Sequence, residues 1–445
     1  MHVHNHPYTG LLAHLKAHLP QSGPLLRRIQ HQITHPSPTA QVLASFPPES
    51  EPETKAGIET PWLAAYADIH RGLDTQVWVF SSLETKTKAN TNFNSNSASA
   101  PTSSTSEPTQ THHDNEALSI QEKETTKSHL LSLLTHIRTK LVPPYIAWLA
   151  SQPPAPVPEP EKARDEGVKK IPPHPTTSVL LGSVHKTVVE LICELANETL
   201  PTKPSANQNQ SQSSRPGVRI HRGQNVFYAK YCFPSSSFDD HDDDDDDKVN
   251  NDPGPEKGSL VGKGYVYTFT DSTGVSGIQE KHLDLVKHRT NIPRSKKALM
   301  AMGGVALYYR PGDDGSPASS RPVADATTSG TGAGAGADGD GEGEMPIGWA
   351  FLGFDGSLCT LHIEPEHRGK GLGGVVGKEV MKSGVGVFEP SARHHHDSIG
   401  GGEKEWFFAD VAVDNIASRR VMEKMGGEIG WYVAWMVVEA DIPCF

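Results

Sequence analysis

The stretch LHIEPEHRGKGLGGVVGKEV, Leu361 to Val380, decides how this chain is read. It opens as the end of an apolar run, LCTLHI, and turns at Glu364-Pro365. It then sets Gly369, Gly371, Gly373 and Gly374 within six positions of Arg368, just before a helical pattern begins. A strand ending in glycines that open a helix leaves backbone amides unpaired and aimed at one point, backed by about half a positive charge from the helix dipole. Such a turn suits a phosphate or pyrophosphate, and glycine is required because a Cβ would hold the anion off the amides.

Three phosphate patterns compete for these residues. The Walker pattern fails, because Gly369-Lys370 is followed by Gly371 where a Ser or Thr should bind magnesium. The dinucleotide fingerprint G-x-G-x-x-G fits Gly369, Gly371 and Gly374, and taken alone it points to an NAD-dependent oxidoreductase. That fingerprint belongs to a βα unit with parallel strands. Here Asp355-Gly356, between IGWAFLG and LCTLHI, is the strongest short hairpin signal in the chain and makes its flanking strands antiparallel. R-x-x-G-x-G, met by Arg368, Gly371 and Gly373, is the third pattern.

Outward from the turn, the C-terminal part reads as strand GYVYTFT, helices around EKHLDLVKHRT and SKKALMAM, strand GVALYYR, and strands IGWAFLG and LCTLHI around the hairpin. After the glycine helix come strand WFFADVAV, Asp414-Asn415, helix IASRRVMEKMGG and strand GWYVAWMVVEA. In the N-terminal part, TPWLAAYADIH and LDTQVWVFSSLE alternate as strands, QNVFYAKYCF is strand-like, and SHLLSLLTHIRTKLV and SVLLGSVHKTVVELICELA have helical spacing. That part carries no recognisable chemical motif. Four segments, 85–115, 151–167, 235–258 and 311–344, lack apolar periodicity and read as disordered insertions or linkers.

The order of elements from about Leu260 onward, with R-x-x-G-x-G at its centre, resembles the GNAT superfamily of N-acetyltransferases. GWAFLGFDGSLCTLHIEPEHRGKGLG is similar to the glycine N-acyltransferase-like branch, in which a degenerate GNAT-like half precedes the catalytic one. The resemblance implies an α/β (α+β) fold, a mixed central sheet with flanking helices, in two GNAT-like halves in tandem. These would be 1–234, an acidic linker 235–258, and 259–445 with the insertion 311–344. It implies an acyl-CoA cosubstrate, such as acetyl-CoA, and no metal. The acceptor would be a small amine or amino acid. The strands LCTLHI and FFADVAV should splay, with pantetheine in the gap and the thioester near Leu361, His362 and Ile363. Arg368, Gly369, Lys370, Gly371, Leu372, Gly373 and Gly374 would hold the pyrophosphate, and Asn415 with Ser418 the pantetheine or adenosine. Asn415 also reads as an ordinary helix N-cap.

Acyl transfer to an amine requires the ammonium to lose a proton and the departing thiolate to gain one. The family often uses a tyrosine in the last helix as the acid, where VMEKMG places Met422. Tyr432 and His362 are the substitutes near in sequence, and Glu364, Asp355 and His362 are the candidate bases. Well-oriented proximity can supply effective molarities of roughly 10⁵ to 10⁸ M, so a missing acid does not exclude an enzyme. It also leaves open a lapsed module that binds CoA without turnover.

Composition narrows the rest. The net charge of −12 is local, because eight aspartates lie in 239–247 and seven further acids in 311–345. The remainder is close to neutral and offers no basic footprint for nucleic acid. Cys193, Cys232, Cys359 and Cys444 are scattered without C-x-x-C spacing, which indicates neither a disulfide framework nor zinc and suits a reducing, cytoplasmic setting. Cys359, in an apolar strand, reads as core filler, and His394 to His396 as a solvated loop rather than a metal site. No apolar run approaches a membrane span. Residues 1–46 hold no acid and faintly resemble a mitochondrial presequence. Acyl length and oligomeric state leave no trace in the sequence.

Overall fold

The computed structural model describes residues 1–48, 61–72, 74–86, 118–153, 173–199, 217–238, 260–262, 265–290, 292, 294–311, 344–384 and 405–441. Most of the four presumed insertions, the His394 to His396 run and Cys444 lie outside the described residues. The N-terminal part contains β1 (His2–His4), α1 (Thr9–Lys16), α2 (Gly23–Thr34), β2 (Gln41–Ala44), β3 (Leu63–Ala67), β4 (Val77–Ser81) and α3 (Ile120–His136). A π turn leads from α3 into α4 (Val142–Ser151), followed by β5 (Val179–His185), α5 (Lys186–Thr199), β6 (Gly217–Arg222) and β7 (Tyr228–Pro234). The C-terminal part contains β8 (Leu260–Gly262), β9 (Tyr265–Thr268), α6 (Leu283–His288), α7 (Lys296–Ala301), β10 (Gly303–Pro311), β11 (Gly348–Leu352) and β12 (Ser357–Ile363). It ends with α8 (Leu372–Gly384), β13 (Trp406–Ala412), α9 (Ile416–Lys424) and β14 (Glu428–Asp441).

One plan runs twice: a strand, two short helices, three antiparallel strands, a helix, a strand parallel to the last, a helix, and a long final strand. β1-β2-β3-β4 with β5 matches β9-β10-β11-β12 with β13, and in each half the parallel pair is short. β4 meets β5 only at Val77↔Leu181 and Trp78↔Gly182, and β12 meets β13 only at Ser357↔Phe408 and Leu358↔Ala409. The expected mixed sheet with flanking helices in two halves is therefore present.

The halves share one sheet by exchanging their last strands. β14 pairs with β5 along one edge and with β6 and β7 along the other, while the free edge of β7 pairs with β13. Each final strand thus lies against the other half. Corresponding residues meet at the crossing: Ser183 follows Gly182 as Asp410 follows Ala409, and the Ser183 hydroxyl donates to Asp410 Oδ2 at 3.2 Å. Such self-pairing marks a two-fold relation. Lys230 of β7, fully buried, pairs with Asp410 at 2.8 Å. A buried pair of this kind is worth little net stability, but removing one partner would be severe.

Apolar burial follows the repeat. In the N-terminal half one core lies under α3 and α5 and another under α1 and α2; in the C-terminal half the equivalent cores lie under α8 and α9 and under α6 and α7. The acid-free segment 1–46 is part of this construction, with Leu11, Leu15, Leu25 and Ile29 buried against β2, β3 and β4. SVLLGSVHKTVVELICELA is not helical throughout, because its first half is β5. Val179 and Leu181 and, past a bulge at Ser183, Val184 reach one buried face there, and the helical spacing holds only from Lys186. Segment 235–258 is not wholly a spacer either, since Ser235–Phe238 forms a 3₁₀ turn whose Phe238 is buried in the core under α8.

A candidate functional site in the C-terminal half

The strand gap comes from one extra residue. β11 and β12 change register between Trp349↔His362 and Phe351↔Cys359, and Thr360 sits at the bulge with φ 55°. Positive φ at a β-branched residue is strained by about 1 to 3 kcal/mol and persists only where the surroundings enforce it. A bulge bends its strand and re-aims the side chains beyond it. β12 leaves β13 after Leu358, so Leu361, His362 and Ile363 lie where its edge toward β13 has no strand partner among the described residues.

The alternation past the bulge sorts these three residues onto two faces. Leu361 and Ile363 pack against the core under α8, whereas His362 turns to the opposite face and stacks on Trp349 with ring centroids 4.6 Å apart. Glu364 lies on the His362 side, with His362 Nε2 3.6 Å from Glu364 Oε2. Arg289, just past α6, donates through Nε to both carboxylate oxygens, at 2.9 and 3.2 Å. Burial holds the His362 imidazole below its ordinary range, although Glu364 opposes the shift. It is therefore neutral, the form able to take a proton.

The glycine turn is pinned at its base and open at its tip. The Arg368 guanidinium donates from Nε to the Ile363 carbonyl at 2.8 Å, tying the turn to the end of β12. Gly369 and Gly371 have φ 77° and 80°, and a Cβ on either would meet nothing within 4 Å. Their glycine identity thus answers to backbone conformation and to what can approach from outside. Lys370 Nζ lies 3.4 Å from the Tyr267 hydroxyl. The first bonds of α8 run from Gly374 and Val375 to the Gly371 carbonyl, so the preceding amides have no earlier helical acceptor. Further along α8, Gly377 serves packing instead, since a Cβ there would lie 2.8 Å from Met425 of the α9 C-terminus.

The remaining sequence candidates scatter. Asn415 caps α9, its side chain accepting from Ser418 N at 3.1 Å, which confirms the N-cap reading and brings Asn415 and Ser418 together. Tyr432 lies on β14, 9% exposed, with β7 between it and β13, so it does not join His362 and Glu364. Asp355 is held at the hairpin turn by Ser357 N and by the Trp78 indole, six or more residues of strand from Ile363 and so about 20 Å away. Met422 is core, and Cys359 packs against Met302 as filler. No group of metal-ligating side chains occurs among the described residues. Arg289 and the Thr360 bulge escaped the sequence reading, because nothing local couples Arg289 to a carboxylate 75 positions on. Tyr231 escaped it too: this β7 residue of the other half brings a phenol to α9, donating to Glu423 at 3.0 Å.

The profile of the acyl-CoA N-acyltransferase verG N-terminal domain matches residues 1–231. Among solved structures, a Drosophila protein aligns over 98% of this chain and 97% of its own, at 10% identity and TM-score 0.42. A putative acetyltransferase of the GNAT family from Novosphingobium aromaticivorans aligns over 53% and 77%, at 11% identity and TM-score 0.26. A GCN5-related N-acetyltransferase from Kribbella flavida aligns over 50% and 60%, at 12% identity and TM-score 0.23. No curated protein matches the sequence.

Proposed function

The chain belongs to the acyl-CoA N-acyltransferase family of the verG N-terminal domain, within the GNAT superfamily, and on that premise we propose that its C-terminal half holds the acyl-CoA and passes the acyl group to a small amine or amino acid. The observation that carries this is the parting of β12 from β13 beside an exposed glycine turn, a cleft with amides along one wall and at its end. In this reading pantetheine pairs with the free edge at Leu361 to Ile363. Arg368 to Gly374 take the pyrophosphate, and the amide nitrogen of Asn415, with Ser418, meets the ligand across the gap.

The chemistry needs few groups. The acceptor ammonium gives a proton to the His362–Glu364 pair, the amine nitrogen bonds to the thioester carbonyl carbon, and the C–S bond breaks. The thiolate then takes a proton, and one proton in total leaves to solvent. Arg289, donating to both Glu364 oxygens, fixes that side chain beside His362. The paired arrangement favours His362 and Glu364 over Tyr432 and Asp355, which lie elsewhere. The likeness of the hairpin and glycine turn to glycine N-acyltransferases supports a small acceptor, and acetyl is the simplest acyl group.

Isothermal titration with CoA, acetyl-CoA and NAD tests the reading on the native protein and on an Arg368→Glu, Gly371→Asp variant. Micromolar CoA binding, weakened at least about 100-fold in the variant, is expected, since that is about 2.7 kcal/mol of phosphate contact. A folded native protein that ignores CoA would overturn the proposal. CoA binding without turnover of any thioester would leave the binding module and remove the enzyme.

A further inference from the structure

On the face of the sheet that carries His362, where α2 of one half meets the β11–β12 hairpin of the other, three guanidiniums gather with no carboxylate in contact among the described residues. Arg28, 2% exposed, donates to the Tyr66 hydroxyl at 2.7 Å and contacts His31 Nδ1 at 2.9 Å, both neutral partners. Its guanidinium carbon stands 4.1 Å from the Tyr66 ring centroid, 5.2 Å from that of Trp78 and 5.4 Å from that of Phe354. Arg71 approaches the same two outer rings, 5.3 Å from Phe354 and 6.0 Å from Trp78. Arg294, just before α7, acts with Arg71 on Asp74. The Nε atoms of Arg28, Arg71 and Arg294 are all buried with no hydrogen-bond partner.

The nearby acids act on these charges from a distance, Asp68 and Asp355 on Arg28 and Asp74 on Arg71 and Arg294, but accept their hydrogen bonds from other groups. Asp68 accepts from Ser37 and Thr39, Asp355 from Ser357 N and Trp78, and Asp74 from Ser295. Among the described residues none of the three arginines has a carboxylate within 4.0 Å. A guanidinium nitrogen buried without an acceptor is costly, and a ligand carboxylate would supply one. Guanidiniums flattened against aromatic rings present planar forks, the geometry that matches a carboxylate.

Position links this cluster to the cleft. Phe354 and Cys359 pack in the same core under α6 and α7 as Trp349, on which His362 stacks. Burial pushes the Cys359 thiol up while the charge of Arg294 opposes it, so the two lie within electrostatic reach of each other. From Cys359 to His362 is three residues of strand, about 10 Å. That is the span of a guanidinium, a carboxylate, a short linker and an amine laid end to end.

We propose that Arg28, Arg71 and Arg294 form a carboxylate-binding site for the acyl acceptor, so that the acceptor is an amino acid rather than a simple amine. The inference rests on the acyltransferase reading for its acceptor, but the anion site can be measured without CoA. An Arg71→Gln, Arg294→Gln variant leaves the core position Arg28 intact. Sodium acetate, titrated against sodium chloride at equal ionic strength, should raise the thermal midpoint of the native protein and not that of the variant, while CoA affinity stays equal in the two. In turnover, amino acids should be preferred to their amides by about tenfold or more, as a site built for one polar group rejects the analogue lacking it, and the variant should lose that preference through KM. Equal responses to acetate, including none in either protein, would overturn the site. A CoA-blind native protein that still responds to acetate would sink the acyltransferase reading and keep the anion site.

Discussion

The two halves share a topology, and the turn after the fourth strand shows what separates them. After β12 the chain runs through Arg368 to Gly371, exposed, with two glycines at positive φ whose outer side is open. After β4 it runs through Ser81 to Glu84, buried, and the chain supplies the partner itself: Glu84 accepts from Ser81 N at 2.8 Å while Ser81 Oγ accepts from Leu83 N at 3.3 Å. Glu84 is 3% exposed, and burial raises its carboxyl well above the usual range. Each half thus breaks into an irregular turn after its fourth strand. In the N-terminal half a side-chain carboxyl already fills it, and in the C-terminal half the turn stays open.

If only the open half works on substrate, its carboxylate should matter most. Glu364→Gln should lower kcat by about 10² to 10⁴, the usual worth of general acid and base help, with CoA affinity unchanged. The acid limb of kcat/KM should fall below the ordinary histidine range near pH 6.5, because burial depresses His362 and activity is lost only as pH drops through that lowered value. Removing the opposing charge of Glu364 should move the limb lower still. A variant with native kcat would show that positioning alone carries the reaction.

The sealed turn gives the opposite expectation. Glu84→Ala should lower unfolding stability by about 1 to 3 kcal/mol, since it orphans a buried amide, while CoA affinity and kcat hold. Glu84→Gln should be far milder, because a carboxyl raised by burial is already close to the neutral amide it would become. Denaturant melts and CoA titration on both variants check this. A loss of CoA affinity in Glu84→Ala with the fold intact would mean that the N-terminal turn also touches ligand.

Legibility in the sequence divided along the same line. The C-terminal half declared itself because Asp355-Gly356 and the glycines after Arg368 each impose a local geometry within a few residues, and the antiparallel hairpin and the glycine turn opening α8 are both present. The N-terminal half used side-chain caps such as Glu84, which look like any acidic loop until burial is known, and its family signal lies in no short motif. Strand exchange was not readable at all. Nothing in YAKYCF says that β7 will lie between β13 and β14, since that depends on an edge built some 180 residues later. Arg28, Arg71 and Arg294 come from three distant segments and meet only once both halves are in place.

The smallest effect distinguishes a cap from a contact. In the N-terminal half, α5 starts on His185, whose Nδ1 accepts from Thr187 N at 3.1 Å and which burial holds at a pKa of about 3, neutral and sealed in. The equivalent α9 starts on Asn415, exposed, whose Oδ1 makes the cap and leaves its amide nitrogen toward solvent. Asn415→Ala should lower stability by about 1 kcal/mol, and Asn415→Asp should restore it, because aspartate caps as well as asparagine. The Asp variant also exchanges a donor for a negative charge. If the amide nitrogen meets the ligand, CoA affinity should fall by about three- to tenfold with stability native, the worth of one hydrogen bond. Unchanged affinity in Asn415→Asp would make Asn415 a cap and nothing more, as His185 is in the other half.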